Sequence, residues 1–189
     1  MKFYFLAALT FLTLLYLYPG PRLDIATVPQ RQDVLGYDRA LFGSWQPHGQ
    51  CTTREAVRLA QSTQASVLNC RVTGGTFYDP YSDQAVSNSE AVEVDHVFPL
   101  SAAWDMGAHS WDQNTRARFA NDPLNLVATQ RSLNQQKSDS LPSEWLPPKK
   151  RCAYSTRLAE IARAYELSLP TADVSVMRRQ CRFEFLLPG

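Results

Sequence analysis

The sequence has almost no excess of charge: 19 Lys and Arg stand against 18 Asp and Glu, for a formal net charge of +1 over 189 residues. Charge alone therefore argues for no nucleic-acid or membrane partner. With 44% hydrophobic and 20% charged residues, the composition is that of an ordinary globular domain, not of a disordered or membrane-embedded chain. There is no internal repeat and no low-complexity tract, which excludes solenoids and biased linkers. Closely spaced Cys or His pairs are lacking too. The four cysteines, Cys51, Cys70, Cys152 and Cys181, lie far apart, so a structural zinc site fits them poorly. They suit an oxidising compartment and two disulfides. Three pairings exist, and Cys51–Cys70 with Cys152–Cys181 is favoured because it staples each end of the domain separately. His48 and His109 have no partner at ligand spacing and read as ordinary residues.

What the sequence does have is a long apolar run at its start. Residues 3–18, FYFLAALTFLTLLYLY, follow one Lys and precede Pro19-Gly20-Pro21. The run reads as an export signal. It is longer than many signal-peptide cores and shorter than a typical span, and no small-x-small cleavage site stands before Pro19, so a cleaved signal and a retained membrane tether through residues 3–18 both remain open. A buried core helix is the lesser alternative, because no polar face breaks the run. Residues 1–21 are thus assigned to export, 22–35 to a tether without hydrophobic period, and 36–189 to one domain large enough for a real core.

Within the domain, Thr52-Thr53-Arg54-Glu55 marks a helix start running to about Gln61. Residues 66–72 and Thr76-Phe77-Tyr78 predict two strands joined by a turn at Gly74-Gly75. Residues 91–98, AVEVDHVF, alternate and are β-branched, so a strand ends in Asp95-His96 and stops at Pro99. The segment 99–123 carries Trp104, Trp111 and Phe119 among polar residues and reads as a compact, aromatic-packed excursion. A strand at 124–127 then leads into the helix-compatible TQRSLNQQKSD. Leu158, Ile161, Ala162 and Tyr165 recur at helical spacing, and a last short helix is expected over 171–179.

Asp95 and His96 are adjacent at a strand's end, so their side chains point to opposite sides: the carboxylate is placed to hold a cation and the imidazole to face a water. Asn134 and Lys137 are three apart on one helix face, presenting an amide oxygen to an ion and an ammonium to a phosphate. Together these are the elements that phosphodiester hydrolysis needs, a base for water and a cation for the phosphate charge. Taken singly, each has a plainer explanation. An Asp-His pair is often a surface pair, Lys137 a solvated helix residue, and Asn125 a turn-satisfying amide. Arg116 either meets phosphate or pairs with a carboxylate. Trp104, Trp111 and Trp145 read as core packing. Lys149, Lys150, Arg151, Arg178, Arg179 and Arg182 are either a phosphate-tracking patch or solvated surface.

The order and spacing of Asp95-His96-Val97-Phe98-Pro99-Leu100, of Asn125 in LNLVA and of Asn134-Gln135-Gln136-Lys137-Ser138-Asp139 resemble the HNH, or ββα-metal, endonucleases. NQQKSDSLPSEW also looks like the corresponding part of the HNH nuclease in RNA-guided CRISPR effectors. A closer resemblance, over roughly residues 36–182, is to exported bacterial HNH proteins related to the nuclease part of some modification-dependent restriction enzymes. Ala103-Trp104, Gly107-Ala108, Trp111, Arg116, Phe119-Ala120-Asn121-Asp122, Pro142, Trp145-Leu146-Pro147-Pro148 and Cys152-Ala153-Tyr154 carry it.

The resemblance implies an α+β fold: a ββα-metal core with flanking helices and a small β-hairpin, stapled by the two disulfides. It implies that His96 is the general base, that Asp95 and Asn134 bind one divalent ion, and that Asn125 holds the excursion and orients His96. Asn134 stands where the family's last His is usual, and an amide oxygen suits Mg2+ or Mn2+ better than zinc. Lys137 and Arg116 are the candidate substrate contacts. The expected function is an exported, metal-dependent endonuclease acting on DNA or RNA as a monomer, without a helix-turn-helix or zinc finger to confer sequence choice. The alternatives are an exported envelope protein of the same shape that binds nucleic acid or a protein partner without cutting, and a hydrolase of some other phosphoester.

Overall fold

The computed structural model describes residues 2–17 and 23–182. The N-terminal apolar run forms one helix, Lys2–Leu17, whose side chains from 3 to 14 are exposed. At 1.5 Å per residue it is about 24 Å long, and no described helix is long and apolar enough to cross a membrane. The end of the expected export segment, residues 18–21, lies outside the described residues.

At the centre, the strand Val92–His96 runs antiparallel to Leu126–Gln130, with Val127 opposite Asp95 and Leu126 opposite His96. The helix Arg131–Lys137 follows the second strand without a loop. Alternation along the strands sorts their side chains to two faces. Val92, Val94, Leu126 and Ala128 join Val57, Val72 and Phe77 in a small core. Val97 and Val127 join the larger one, with Phe42, Phe98, Phe119, Leu158 and Ile161. The helix Arg131–Lys137 packs on the Glu93 and Asp95 side, where Asn134 bonds Glu93 and Lys137 bonds Asp95.

The excursion between the central strands is more regular than its sequence suggests. It contains the helices Leu100–Asp105 and Gln113–Asn121. Asp112 caps the second, its carboxylate accepting from the Thr115 amide at 2.7 Å, and this cap was its sequence signal. Trp104, Trp111 and Trp145 pack on the main core as expected, with Trp111 5.3 Å from Phe119, ring centre to ring centre. Two longer helices, Arg151–Ala164 and Thr171–Gln180, close that core.

Two expectations need correction. The hairpin does not turn at Gly74-Gly75. Ser66–Leu68 pairs with Arg71–Thr73, so the two-residue turn is Asn69-Cys70, both at positive φ, a conformation that Asn adopts more readily than most residues. Thr76–Asp79 pairs instead with Ser62–Thr63 and with Gln84–Val86. Gly75 remains necessary, because a Cβ there would lie 2.6 Å from the Ala65 nitrogen and the Thr63 oxygen. The second correction concerns the tether. Residues 23–35 are docked on the domain: Thr27–Val28 pairs in parallel with Leu169–Pro170, Arg31 pairs with Asp105 at 2.7 Å and Asp139 at 2.9 Å, and Leu23, Ile25, Val28 and Val34 lie on the main core.

The disulfides are Cys51–Cys70, which ties the tip of the small hairpin to the strand before the first domain helix, and Cys152–Cys181, which joins the last two helices. Each closes a short loop of the unfolded chain, a constraint of about 3 kcal/mol on the chain-entropy account. The fold is α+β.

Candidate functional site

Two cavities meet at His96. One, of about 320 Å³, is bordered by Asp95, His96, Asn134, Asp139 and Arg39. Its neighbour, of about 190 Å³, is bordered by Arg39, Trp45, His96, Ala120 and Asn121. Asp95, His96 and Asn134, which sequence spacing singled out, therefore border one space although Asn134 comes from a separate helix.

His96 is only 6% exposed, yet it borders both cavities and is not sealed inside. Its Nε2 lies 2.9 Å from the Ala120 carbonyl oxygen. A carbonyl only accepts, so Nε2 carries the hydrogen and Nδ1 keeps a lone pair. Trp45 stacks on the ring, 5.6 Å between centres and 10° between planes. Burial pushes the imidazole pKa down to about 4, against the upward pull of the Ala120 bond and with a further push from Arg39 and Lys137. The ring is neutral near pH 7 and able to take a proton.

Asn125 is fully buried and does not border the cavities. Its Oδ1 accepts from the Phe98 amide at 2.8 Å, while Nδ2 donates to the Phe98 and Phe119 carbonyls. The backbone carbonyl of Asn125 accepts from the Val97 amide at 2.8 Å. It thereby fixes both the chain leaving His96 and the end of the helix whose Ala120 carbonyl holds the ring. The Asn125 side chain thus bonds backbone groups at both ends of the excursion.

Asp95 is buried and heavily engaged. Tyr81 donates its hydroxyl to Oδ2 at 2.6 Å, and the Lys137 ammonium lies 3.0 Å from each carboxylate oxygen and 2.8 Å from the His96 carbonyl. Burial raises the Asp95 pKa, with Lys137 and Tyr81 opposing. Burial likewise lowers that of Lys137 against the pull of Asp95. Burial, followed by the Asp95 charge, holds the Tyr81 hydroxyl well above its ordinary range.

The expectation that Lys137 offers its ammonium to a phosphate is corrected here. The residue has 0% exposure, and its ammonium is committed to Asp95 and the His96 carbonyl. Arg116 is also displaced from the substrate role. Its guanidinium donates to the carbonyls of Leu41 and Trp111 and lies 5.8 Å from the Trp104 ring centre. It braces scaffold, and among the described residues no carboxylate forms an ion pair with it.

Asn134 donates its amide nitrogen to Glu93 at 2.9 Å, and Arg131 holds the same Glu93 carboxylate at 2.9 Å. With the nitrogen taken, the amide oxygen is the group left for a ligand. Asp139 also borders this space, with its Oδ2 engaged by Arg31 and Ser101, so Asp95 and Asn134 are the pair considered for a cation. Among the described residues, no three His, Cys, Asp or Glu side chains converge as metal ligands. One carboxylate and one amide oxygen fit a hard ion that keeps most of its water, as Mg2+ does, and not a closed zinc set.

Arg39, Trp45, Tyr81 and Glu93 are the site residues that sequence reasoning missed. Arg39 and Trp45 precede Asp95 by some fifty residues and reach His96 only through the fold. The single local signal was the alternation of VEVDH, which puts Glu93 on the Asp95 side.

A protein of Arthroderma benhamiae described as an "Uncharacterized secreted protein" is 34% identical over 198 residues, covering 94% of this chain and 97% of its own length. No solved structure matches the chain. With that relative, the disulfides and the apolar N-terminus in agreement, the protein is an exported one. Residues 54–171 match the family described as the C-terminal domain of GmrSD restriction endonucleases. This nuclease-related membership implies nucleic acid as the substrate. By a match over more than half its length, the chain belongs to the family of the GmrSD restriction-endonuclease C-terminal domain.

Proposed function

We propose that the protein is an exported, metal-dependent HNH-type endonuclease that hydrolyses phosphodiester bonds of nucleic acid, with DNA as the first substrate to test. The observation that carries the reading is His96: a neutral imidazole, fixed through Nε2–H, borders one cavity together with the oxygen-bearing Asp95 and Asn134. The strand, excursion, strand and helix order supports a ββα-metal core.

His96 takes a proton from water at Nδ1 as the water oxygen bonds to phosphorus and the phosphorus–oxygen ester bond breaks; the departing oxygen is protonated by solvent. Asp95 and Asn134 are the residues that would hold one divalent cation, Mg2+ or Mn2+. Bound there, such an ion neutralises charge on the phosphate and the leaving oxygen. Arg39 borders both cavities and holds the phosphate by its guanidinium. Tyr81 and Lys137 fix the Asp95 carboxylate; Oδ2 meets both, so Oδ1, which meets Lys137 and not Tyr81, is the oxygen a cation would share. Glu93 turns the Asn134 amide so that its oxygen is the free end.

One observation favours a second reading. Lys137 already compensates the Asp95 charge, which weakens the pull on a cation and would suit a chain that binds nucleic acid without cutting it. Supercoiled plasmid incubated with the purified chain and Mg2+ or Mn2+ separates the two. Nicked and linear products that disappear with chelator support the nuclease, and binding with no cleavage across both metals supports the alternative. Turnover of small phosphoesters with none of polynucleotides would refute both.

A further inference from the structure

A third cavity, of about 620 Å³, opens beside the candidate site and is bordered by Arg54, Arg58, Arg71 and Arg131 together with Glu90 and Glu93. Arg54 and Arg58 stand one turn apart on the helix Thr53–Ala60, Arg71 lies on the small hairpin, and Arg131 opens the helix that carries Asn134. Three of the four guanidiniums have carboxylate partners: Arg54 with Glu55 at 3.7 Å, Arg71 with Glu90 at 3.0 Å and Arg131 with Glu93 at 2.9 Å.

Arg58 differs from the others. It is 8% exposed, and among the described residues its one hydrogen bond is Nη2 to the Ser89 carbonyl, while its buried Nε has no hydrogen-bond partner. Its guanidinium sits 5.8 Å from the Phe77 ring centre, a contact that supports the cation without neutralising it. An arginine is seldom buried unless paired. Here four guanidiniums face a cavity with two carboxylates, and the buried one is left with a donor and a charge to spare.

We propose that this cavity is a phosphate-binding site, and that on the nuclease reading it takes a backbone phosphate of the nucleic acid away from the scissile position. Planar guanidinium donors match phosphate oxygens in geometry and charge. The nucleic-acid source follows from continuity. Glu93 borders this cavity and also holds Asn134 of the candidate site, so one ion-paired side chain separates the two spaces. On that reading a strand engaged at His96 extends towards this cavity.

The test uses the full chain in chelator, so that binding is read without cleavage. A fluorescein-labelled 20-nucleotide DNA is titrated by anisotropy at several salt concentrations, and inorganic phosphate is titrated separately by calorimetry. Arg54→Gln with Arg71→Gln removes two of the less buried guanidiniums without opening the core, and Arg58→Lys keeps the charge while losing the fork. The double variant is expected to weaken oligonucleotide binding about tenfold at low salt and to lower the salt slope by about one to two. Arg58→Lys is expected to weaken it severalfold. Arginine-dependent DNA binding with no cleavage when Mg2+ or Mn2+ is restored would keep this site and refute the nuclease reading. Arginine-dependent binding of inorganic phosphate, with oligonucleotide affinity untouched, would keep the phosphate chemistry and make its source a free anion. Oligonucleotide affinity and slope unchanged in all variants, with no phosphate binding, overturns the proposal.

Discussion

Replacing Lys137 by Met is expected to destabilise the fold by about 3–5 kcal/mol, the usual cost of removing one partner of a buried ion pair. Met keeps most of the volume, so little of the loss comes from a cavity. What remains is a buried Asp95 carboxylate with neutral donors, the Tyr81 hydroxyl and the His96 backbone, but no cation, and a His96 carbonyl without its ammonium. In a domain of this size the loss corresponds to a fall in Tm of about 6–20 °C. The pH dependence gives a second readout. Burial already raises the Asp95 pKa in the folded chain, so the folded state binds that proton more tightly than the unfolded state does. Without Lys137 the rise is larger, and the deficit of the variant should shrink as pH falls through the raised value. Lys137→Met combined with Asp95→Asn should recover at least half of the loss. Thermal unfolding of the three chains between pH 4.5 and 8 measures all of this. A fall in Tm under about 3 °C with no pH dependence would refute the buried pair.

Three further outcomes follow from the site. His96 is buried neutral with a pKa of about 4, so its contribution to stability is whole above about pH 6.5 and is lost as pH falls towards 4, by up to about 3 kcal/mol; denaturant unfolding of the wild type and of His96→Phe across that window should show the slope in the first and not in the second. Asn125→Ala strands the buried Phe98 amide, and is expected to cost about 1–3 kcal/mol and to reduce cleavage by loosening the carbonyl that holds His96; unfolding and plasmid assays check both. Arg39→Gln should raise KM for polynucleotide at least tenfold while moving Tm by less than about 2 °C, because its side chain borders cavities and not the core.

The parts of the fold that were legible are those written locally. VEVDH alternates and so declares its strand, Asn134 and Lys137 fall on one helical face by spacing, and four separated cysteines in an exported chain imply two bridges. The misplaced hairpin turn shows the limit of local signals. Gly74-Gly75 looked like the turn, but the glycine at 75 serves a close backbone approach, and Asn69 supplies the left-handed turn instead. Long-range pairing hid the rest. Nothing within a few residues of Lys137 announces burial, because its partner lies 42 residues earlier. The strap at 23–35 carries its apolar residues without a period, and its strand pairing and the Arg31–Asp105 bridge form only when distant segments meet. Arg39, Trp45 and Tyr81 reach the site by the same route.

The most direct measurement concerns the imidazole. His96→Gly, checked for folding by circular dichroism, is assayed on supercoiled plasmid with Mg2+ or Mn2+, with and without millimolar imidazole. Loss of nicking, with part of it returned by free imidazole entering the space beside Trp45, is the expected result. A His96→Gly chain that cuts as fast as the wild type would contradict the assignment of the base.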